Sequence, residues 1–241
     1  EMLFNALKSF VGAKDDSGVY SLALLHLNIV FYAFTFWCTQ PVMPYLSKEL
    51  GADAEMFGYL QTVFSAAQLL GGPIFGRICD VHGAKVALQI AQFGTMLSML
   101  LLGLATNVPL LFISRLPTPA MQAMHSAQAF ITDLSAPSKR AEALGRLSLS
   151  YGIGMVLGAP FGGTLSKYMS YSSVALVSAL ILFLFVPLNA MFLPNSRGGQ
   201  GMPSSAAGGL SFSRVIQLLS EYTELRNLMI YQLLLGVAFG V

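Results

Sequence analysis

The sequence predicts an all-α, polytopic membrane protein whose spans form a six-helix bundle of two inverted three-helix units. Three observations carry that prediction. Apolar types make up 55% of the 241 residues and charged types 10%, against roughly 25% charge in a soluble domain. Six apolar runs reach the roughly 20 residues that a bilayer crossing requires. Basic residues alternate from loop to loop with a strong bias to one side. The same composition excludes a disordered chain, which needs low hydrophobicity and high charge. A net charge of +2 without a dense basic cluster excludes a nucleic-acid partner. The expected surroundings are a lipid bilayer.

Taken in order, residues 1–19 form an N-terminal segment, expected to be cytoplasmic. The six spans are expected near 20–44, 57–78, 86–106, 108–132, 147–167 and 172–193, giving a bundle over 20–193. Residues 194–226 read as a cytoplasmic linker. Its front is rich in Gly and Ser, the composition of a flexible coil. Its back places Val215, Ile216, Leu218, Leu219, Tyr222 and Leu225 at helical spacing, as in an interfacial amphipathic helix. Residues 227–241 read as the start of a seventh span.

Orientation follows from Lys and Arg. Lys8, Lys14, Arg77, Lys85, Lys139, Arg140, Arg146, Arg197, Arg214 and Arg226 fall on one side of this alternation, and only Lys48 and Lys167 on the other. Positive loops stay inside, so the N-terminus and the linker are expected in the cytoplasm. The alternation also supports the span count, because one wrong span would scramble it. The remaining basic residue, Arg115, lies within the fourth span.

An offset of about 87 residues superposes Leu70-Gly71-Gly72-Pro73 on Leu157-Gly158-Ala159-Pro160. It also carries the first span onto the fourth. Spans 1–3 and 4–6 then read as two copies of one unit, and an odd number of spans per copy inverts the second. Inverted repeats of this kind are common in secondary transporters.

Gly76-Arg77-Ile78-Cys79-Asp80-Val81-His82-Gly83-Ala84-Lys85 reads as a tight cytoplasmic turn after the second span. Gly76 would permit close helix approach and Gly83 a positive φ. Asp80 and Lys85 would stand at the mouth of the bundle, where a charge pair can hold a conformation shut. In the fifth span Gly154, Gly158, Gly162 and Gly163 are spaced for close helix contact. Arg115 is a charge inside a span, which is costly and usually functional. At 100° per residue, Thr118, Gln122, His125 and Ser126 share its face, while Pro117 and Pro119 are expected to bend that helix.

The turn resembles the signature cytoplasmic loop of the major facilitator superfamily, Gly-x-x-x-Asp-(Arg/Lys)-x-Gly-x-(Arg/Lys). Gly76, Asp80, Gly83 and Lys85 match, and Val81 departs where a basic residue is usual. The fifth span is similar to the motif of drug:proton antiporters, with Gly145, Gly154, Gly158, Gly162 and Gly163 in place and Pro160 displaced by one position. Over about Asn28 to Ser213 the chain resembles an organic-cation-transporter-like member of solute carrier family 22. The resemblance implies the N-terminal half of a twelve-helix facilitator, with a C-terminal half as its partner. It implies secondary active transport of organic cations or amphipathic drugs, by exchange against protons.

In that reading Arg115, Gln122, His125, Asn28 and Gln61 line a central substrate cavity. Gly76, Asp80, Gly83 and Lys85 form the cytoplasmic gate, and Gly154, Gly158, Gly162 and Gly163 the packing that permits rocking. No carboxylate lies inside the six spans, so proton coupling in this half would use His26 or His125, since histidine titrates near neutrality. No CxxC or HExxH pattern occurs, and no cofactor, metal or enzymatic activity is expected. The alternative is a non-transporting membrane scaffold or regulator on the same fold.

Overall fold

The computed structural model describes residues 16–135 and 137–193, together with Asn227. The helices below all belong to the first of two compact units, Glu1–Gln200. The expected linker and seventh span lie outside the described residues, apart from Asn227. So does most of the N-terminal lead-in.

Eight helices are described: α1 Asp16–Thr39, α2 Met43–Glu49, α3 Ala54–His82, α4 Ala84–Gly103, α5 Val108–Ile113, α6 Ala123–Leu134, α7 Arg140–Leu165 and α8 Tyr171–Phe192. Their starts follow local chemistry. The side chains of Asp53, Asn107 and Ser170 accept from the backbone N–H of Met56, Leu110 and Ser173, satisfying donors that a helix start leaves open. Polar side chains within α1 are satisfied by the helix itself. The Thr35 hydroxyl donates to the Phe31 carbonyl at 2.9 Å, and Thr39 to Phe36 at 2.7 Å. Val19–Thr39, Ala84–Gly103 and Tyr171–Phe192 are each long and apolar enough to cross a bilayer.

Four expectations about the elements need correction. The first span ends at Thr39 rather than near 44, because Gln40-Pro41-Val42 closes a turn (Val42 N–H to Thr39 O, 3.2 Å) before the separate α2. The turn after the second span is one residue wide. Helix α3 continues through His82, and Gly83 alone, at φ 87°, separates it from α4. Among the described residues nothing lies within 4 Å of a β-carbon at Gly76, so it makes no close helix approach to any of them. Helix α7 begins at Arg140 rather than near 147, which makes the charged run up to Arg146 a helical extension.

The fourth span is broken outright rather than bent. Pro117 and Pro119 each remove a backbone donor. Between α5 and α6 the chain makes three-residue turns: Thr118 N–H to Arg115 O at 3.0 Å, Ala120 to Pro117 at 2.9 Å, and Met121 to Thr118 at 2.9 Å. A short 3-10 turn spans Thr118–Ala120. The single polar face expected across Arg115, Gln122 and His125 therefore does not exist, because its 100° periodicity stops at the prolines.

Packing follows the small residues. Along α7, Gly154, Gly158 and Gly162 lie against the α1 backbone at Val30, Phe34 and Cys38, and a β-carbon at any of the three would collide with a carbonyl oxygen there. Gly163 has open space around it and is not part of this seam. Gly71 on α3 meets the broken fourth span in the same way, against the Pro119 carbonyl. The 87-residue offset relates Gly158 to Gly71, and it carries Phe34 to Met121, between Pro119 and Gln122. The two copies of the repeat thus make equivalent close approaches on their partner helices.

Helices α4 and α8 pack together, with α1 against α8. At their meeting point Asn28, Gln92 and Asn189, all fully buried, bond to one another. Gln92 Nε2 donates to Asn28 Oδ1 at 2.5 Å. Asn189 Nδ2 donates to Asn28 Oδ1 at 2.8 Å and to Gln92 Oε1 at 2.6 Å. Asn28 Nδ2 donates to Asn189 Oδ1 and to the Leu24 carbonyl. A closed amide network of this kind satisfies groups that would be costly alone in an apolar core. The outer surface is the reverse of a soluble protein's: Leu69, Val156, Phe183 and Met191 are exposed, in numbers that fit contact with lipid rather than water.

Candidate substrate cavity and the α3–α4 junction

The break in the fourth span shapes the candidate site. Met121 and Gln122 fall in the gap between the 3-10 turn and α6, and their backbone is free of regular helix. Gln122 bridges outward. Its Nε2 donates to the Gln68 carbonyl on α3 at 2.9 Å, and its Oε1 lies 2.6 Å from His125 Nδ1. A carbonyl oxygen only accepts, so the Gln68 contact sets the orientation of the Gln122 amide. The amide oxygen then requires the proton on His125 Nδ1. His125 Nε2 is left with the lone pair. Gly71 makes room for this arrangement, since a β-carbon there would press on both Gln122 Nε2 and Pro119.

Around this chain lies a partly open cavity of about 330 Å³, lined by Tyr32, Gln68, Met121, Gln122, Met124, His125, Ser148 and Tyr151. Tyr32 donates to the Met121 carbonyl at 3.1 Å, tying α1 to the break. Trp37 Nε1 donates to the Tyr151 hydroxyl at 3.2 Å, tying α1 to α7. The lining combines aromatic faces, thioethers, amides and one imidazole, and holds no carboxylate.

Of the five residues expected to line the cavity, the structure brings two together there, Gln122 and His125. Asn28 is instead enclosed in the amide network. Gln61 stands two helical turns before Gln68 on α3, half-buried and not on the lining. Arg115 is buried elsewhere. Its Nη2 reaches the Met43 sulfur at 2.9 Å, and its guanidinium lies over the Phe64 ring, 5.3 Å from the centroid. Among the described residues no carboxylate is within ion-pair distance of it. A desolvated cation–π contact contributes about 2 kcal/mol, against several kcal/mol for burying an ion. Arg115 is thus under-compensated by what surrounds it. Sequence reasoning missed Tyr32, Gln68 and Tyr151. Gln68, seven residues after Gln61 and so on the same helix face, was the available signal.

Gly83 joins α3 to α4, with Asp80 one helical turn before it and Lys85 in the first turn of α4. Burial raises the Cys79 thiol above its usual range. A hydrogen bond with Ser126 opposes the rise, and the charges of Asp80 and Asp133 add to it. Burial also raises the Asp133 carboxyl, with Arg140 pulling it back down. The end of α3, the end of α6 and the start of α7 therefore share one electrostatic neighbourhood. Among the described residues, Arg140 and Asp80 are not within ion-pair distance, nor are Asp133 and Arg77. Arg146 and Glu142 pair within α7 at 2.5 Å.

Comparison with known proteins decides the family. The sequence model of the Major Facilitator Superfamily matches residues 25–241. This chain belongs to the major facilitator superfamily. It is a multi-pass membrane protein with the six-helix N-terminal half of the facilitator fold. It is 43% identical over 185 residues to human Solute carrier family 67 member A1, covering 75% of this chain and 42% of that protein. It is 40% identical over 197 residues to rat Solute carrier family 22 member 18, covering 80% of this chain and 46% of that protein. It is 31% identical over 152 residues to Multidrug resistance protein 1 of Bacillus subtilis, covering 62% and 39%. The chain spans about half the length of these relatives. Among solved structures, the human organic anion transporter MFSD10 (TETRAN) superposes with a TM-score of 0.65 at 17% identity, covering 80% of this chain and 53% of that one. That likeness concerns the fold. The resemblance read from the turn and the fifth-span glycines is thus a family relationship.

Proposed function

We propose that the full facilitator carrying this chain is a secondary active transporter of organic cations or amphipathic drugs that exchanges substrate for protons by alternating access. The observation that carries the reading is the cavity on the broken fourth span, where Gln122 holds His125 with Nε2 available to take a proton. Tyr32 and Tyr151 offer faces that attract organic cations, and Met121 and Met124 offer adaptable apolar contact. A relative described as a multidrug resistance protein supports the substrate class. In this reading the N-terminus is cytoplasmic, on the strength of the basic-residue bias.

The deciding measurement is substrate-driven proton flux in liposomes containing the full-length protein. Protons are expected to move opposite to the drug, so that the lumen turns alkaline as added drug enters. No flux across a broad panel of organic cations and amphipathic drugs would replace transport with the scaffold reading.

The junction at Gly83 is the cytoplasmic gate in this proposal, with Asp80 and Lys85 at its mouth. Asp80→Asn removes the charge at nearly unchanged volume. Transport is expected to fall about tenfold or more, on the scale of losing a charge-assisted contact, with normal insertion. Unchanged uptake at normal surface expression would remove Asp80 from the gate.

A further inference from the structure

Gln122, which is buried, ties the break of the fourth span to α3. Its Nε2 donates to the Gln68 carbonyl at 2.9 Å, and its Oε1 accepts from His125 Nδ1 at 2.6 Å. The two bonds run head to tail through one amide, so each polarises the other. A proton added at His125 Nε2 makes the ring an imidazolium. Its Nδ1–H then forms a charge-assisted bond, roughly twice as strong as a neutral one. The Gln122 amide passes part of that gain to the Gln68 carbonyl. The bonds end where α3 is built to bend. Gln68 is followed by Gly71, Gly72 and Pro73 inside the helix. Pro73 offers no N–H to the Leu69 carbonyl one turn earlier, and sharp helix kinks concentrate at prolines. Beyond Pro73 the helix continues to His82, and Gly83 follows.

We infer that Gln122 is a positioning residue that couples the protonation of His125 to the bend of α3 at Pro73, and so to the α3–α4 junction. The inference rests on the proposed function, in which His125 takes the proton. The imidazole is the group in this cavity that changes charge near neutral pH. Tyr32 on α1 and Tyr151 on α7 share the cavity and stay neutral there. His26 on α1 is bonded to Ser150 on α7, and Cys79 on α3 to Ser126, and neither is on the lining. The charged side chains of the helices packed around α6, among them Asp80 on α3, Lys85 on α4 and Arg146 on α7, also lie off the lining. The proton state of His125 therefore reaches α3 through the amide of Gln122.

The test follows tetraphenylphosphonium binding to the purified full-length protein in detergent as the pH is varied. Binding is expected to weaken as the pH falls through the titration of His125, because proton and cation exclude each other. Gln122→Glu sets a carboxylate against Nδ1, which favours the imidazolium, and is expected to raise the midpoint by about one pH unit or more. Gln122→Met removes the acceptor at similar length and is expected to lower the midpoint. A side chain that only packed would leave the midpoint in place in both. Neither an ionised carboxylate nor a thioether can donate to the Gln68 carbonyl, so both variants lose the link to α3. Hydrogen exchange over Leu69–Gly83, corrected for the intrinsic effect of pH, reads that link. Protection in the unsubstituted protein is expected to rise about threefold or more at low pH, and in both variants to be independent of pH. Gln122→Glu, nearly isosteric, keeps the test valid if Gln122→Met does not fold. An unmoved midpoint in Gln122→Glu, or protection that still follows pH in either variant, overturns the coupling and leaves His125 as the proton carrier. Binding that does not vary with pH in the unsubstituted protein overturns the coupling together with the proton exchange of the proposed function.

Discussion

Gly162→Ala is expected to destabilise the bundle by about 1–3 kcal/mol, the usual cost of forcing extra volume into a tight contact. The upper end applies because the obstacle is rigid. The new β-carbon would meet the backbone carbonyl, carbonyl carbon and Cα of Cys38 on α1. A side chain could rotate away, whereas a helix backbone must move as a unit. Gly163→Ala is the matched control. Nothing lies within 4 Å of the β-carbon it would add, and Ala favours a helix over Gly by about 1 kcal/mol. It is expected to leave stability unchanged or raise it slightly. Thermal unfolding in detergent, read side by side on the two variants, checks the contrast. Equal behaviour would mean that the α1–α7 seam is looser than its geometry.

His125→Asn is expected to lower drug-coupled proton flux at least tenfold, the lower range of what positioned proton transfer contributes. Drug binding is expected to change by no more than about threefold, since one neutral hydrogen bond is exchanged for another. The asparagine Nδ2 can still donate to Gln122 Oε1, which keeps the link from α6 to α3 intact. It has no site that takes a proton near neutral pH. Flux and binding must be read on the same preparation. Proton flux at the unsubstituted rate would remove His125 as the proton carrier, and a parallel loss of both would mark it as structural.

How much of this was legible beforehand depended on the range of the interaction. The number and order of spans came from runs of apolar residues and from the basic bias, which are local in sequence. The glycine seam was legible for the same reason at Gly154, Gly158 and Gly162: spacing of four residues puts them on one helix face. Spacing could not say how far that face extends, and Gly163 falls outside it. Gly76 failed in the same way. A small residue permits a close approach, but only a neighbouring helix makes one.

The cavity residues were harder. Asn28 is polar and in a span, which suits either a substrate contact or a buried network. Its assignment rests on Gln92 and Asn189, which are 64 and 161 positions away. Arg115 was singled out correctly as a costly buried charge, yet was grouped with Gln122 and His125 by an angle that assumed an unbroken helix. Two prolines were visible in the sequence. What they would do to the chain was decided by the turns they allow and by Gly71 leaving room for them.

By itself, then, the sequence determined the class of molecule, the spans, their expected sidedness and the internal repeat. These follow from solvation and backbone periodicity, which each residue carries with it. Only the tertiary structure decided which polar side chains satisfy one another and which are left to meet something else. Asn28 closes a network, Gln122 orients His125, and Arg115 Nε and Thr118 Oγ1 have no partner among the described residues. The physical reason is that a buried polar group is defined by its partner. In this bundle the partners lie on other helices, brought within reach by glycine contacts and by a break in the fourth span.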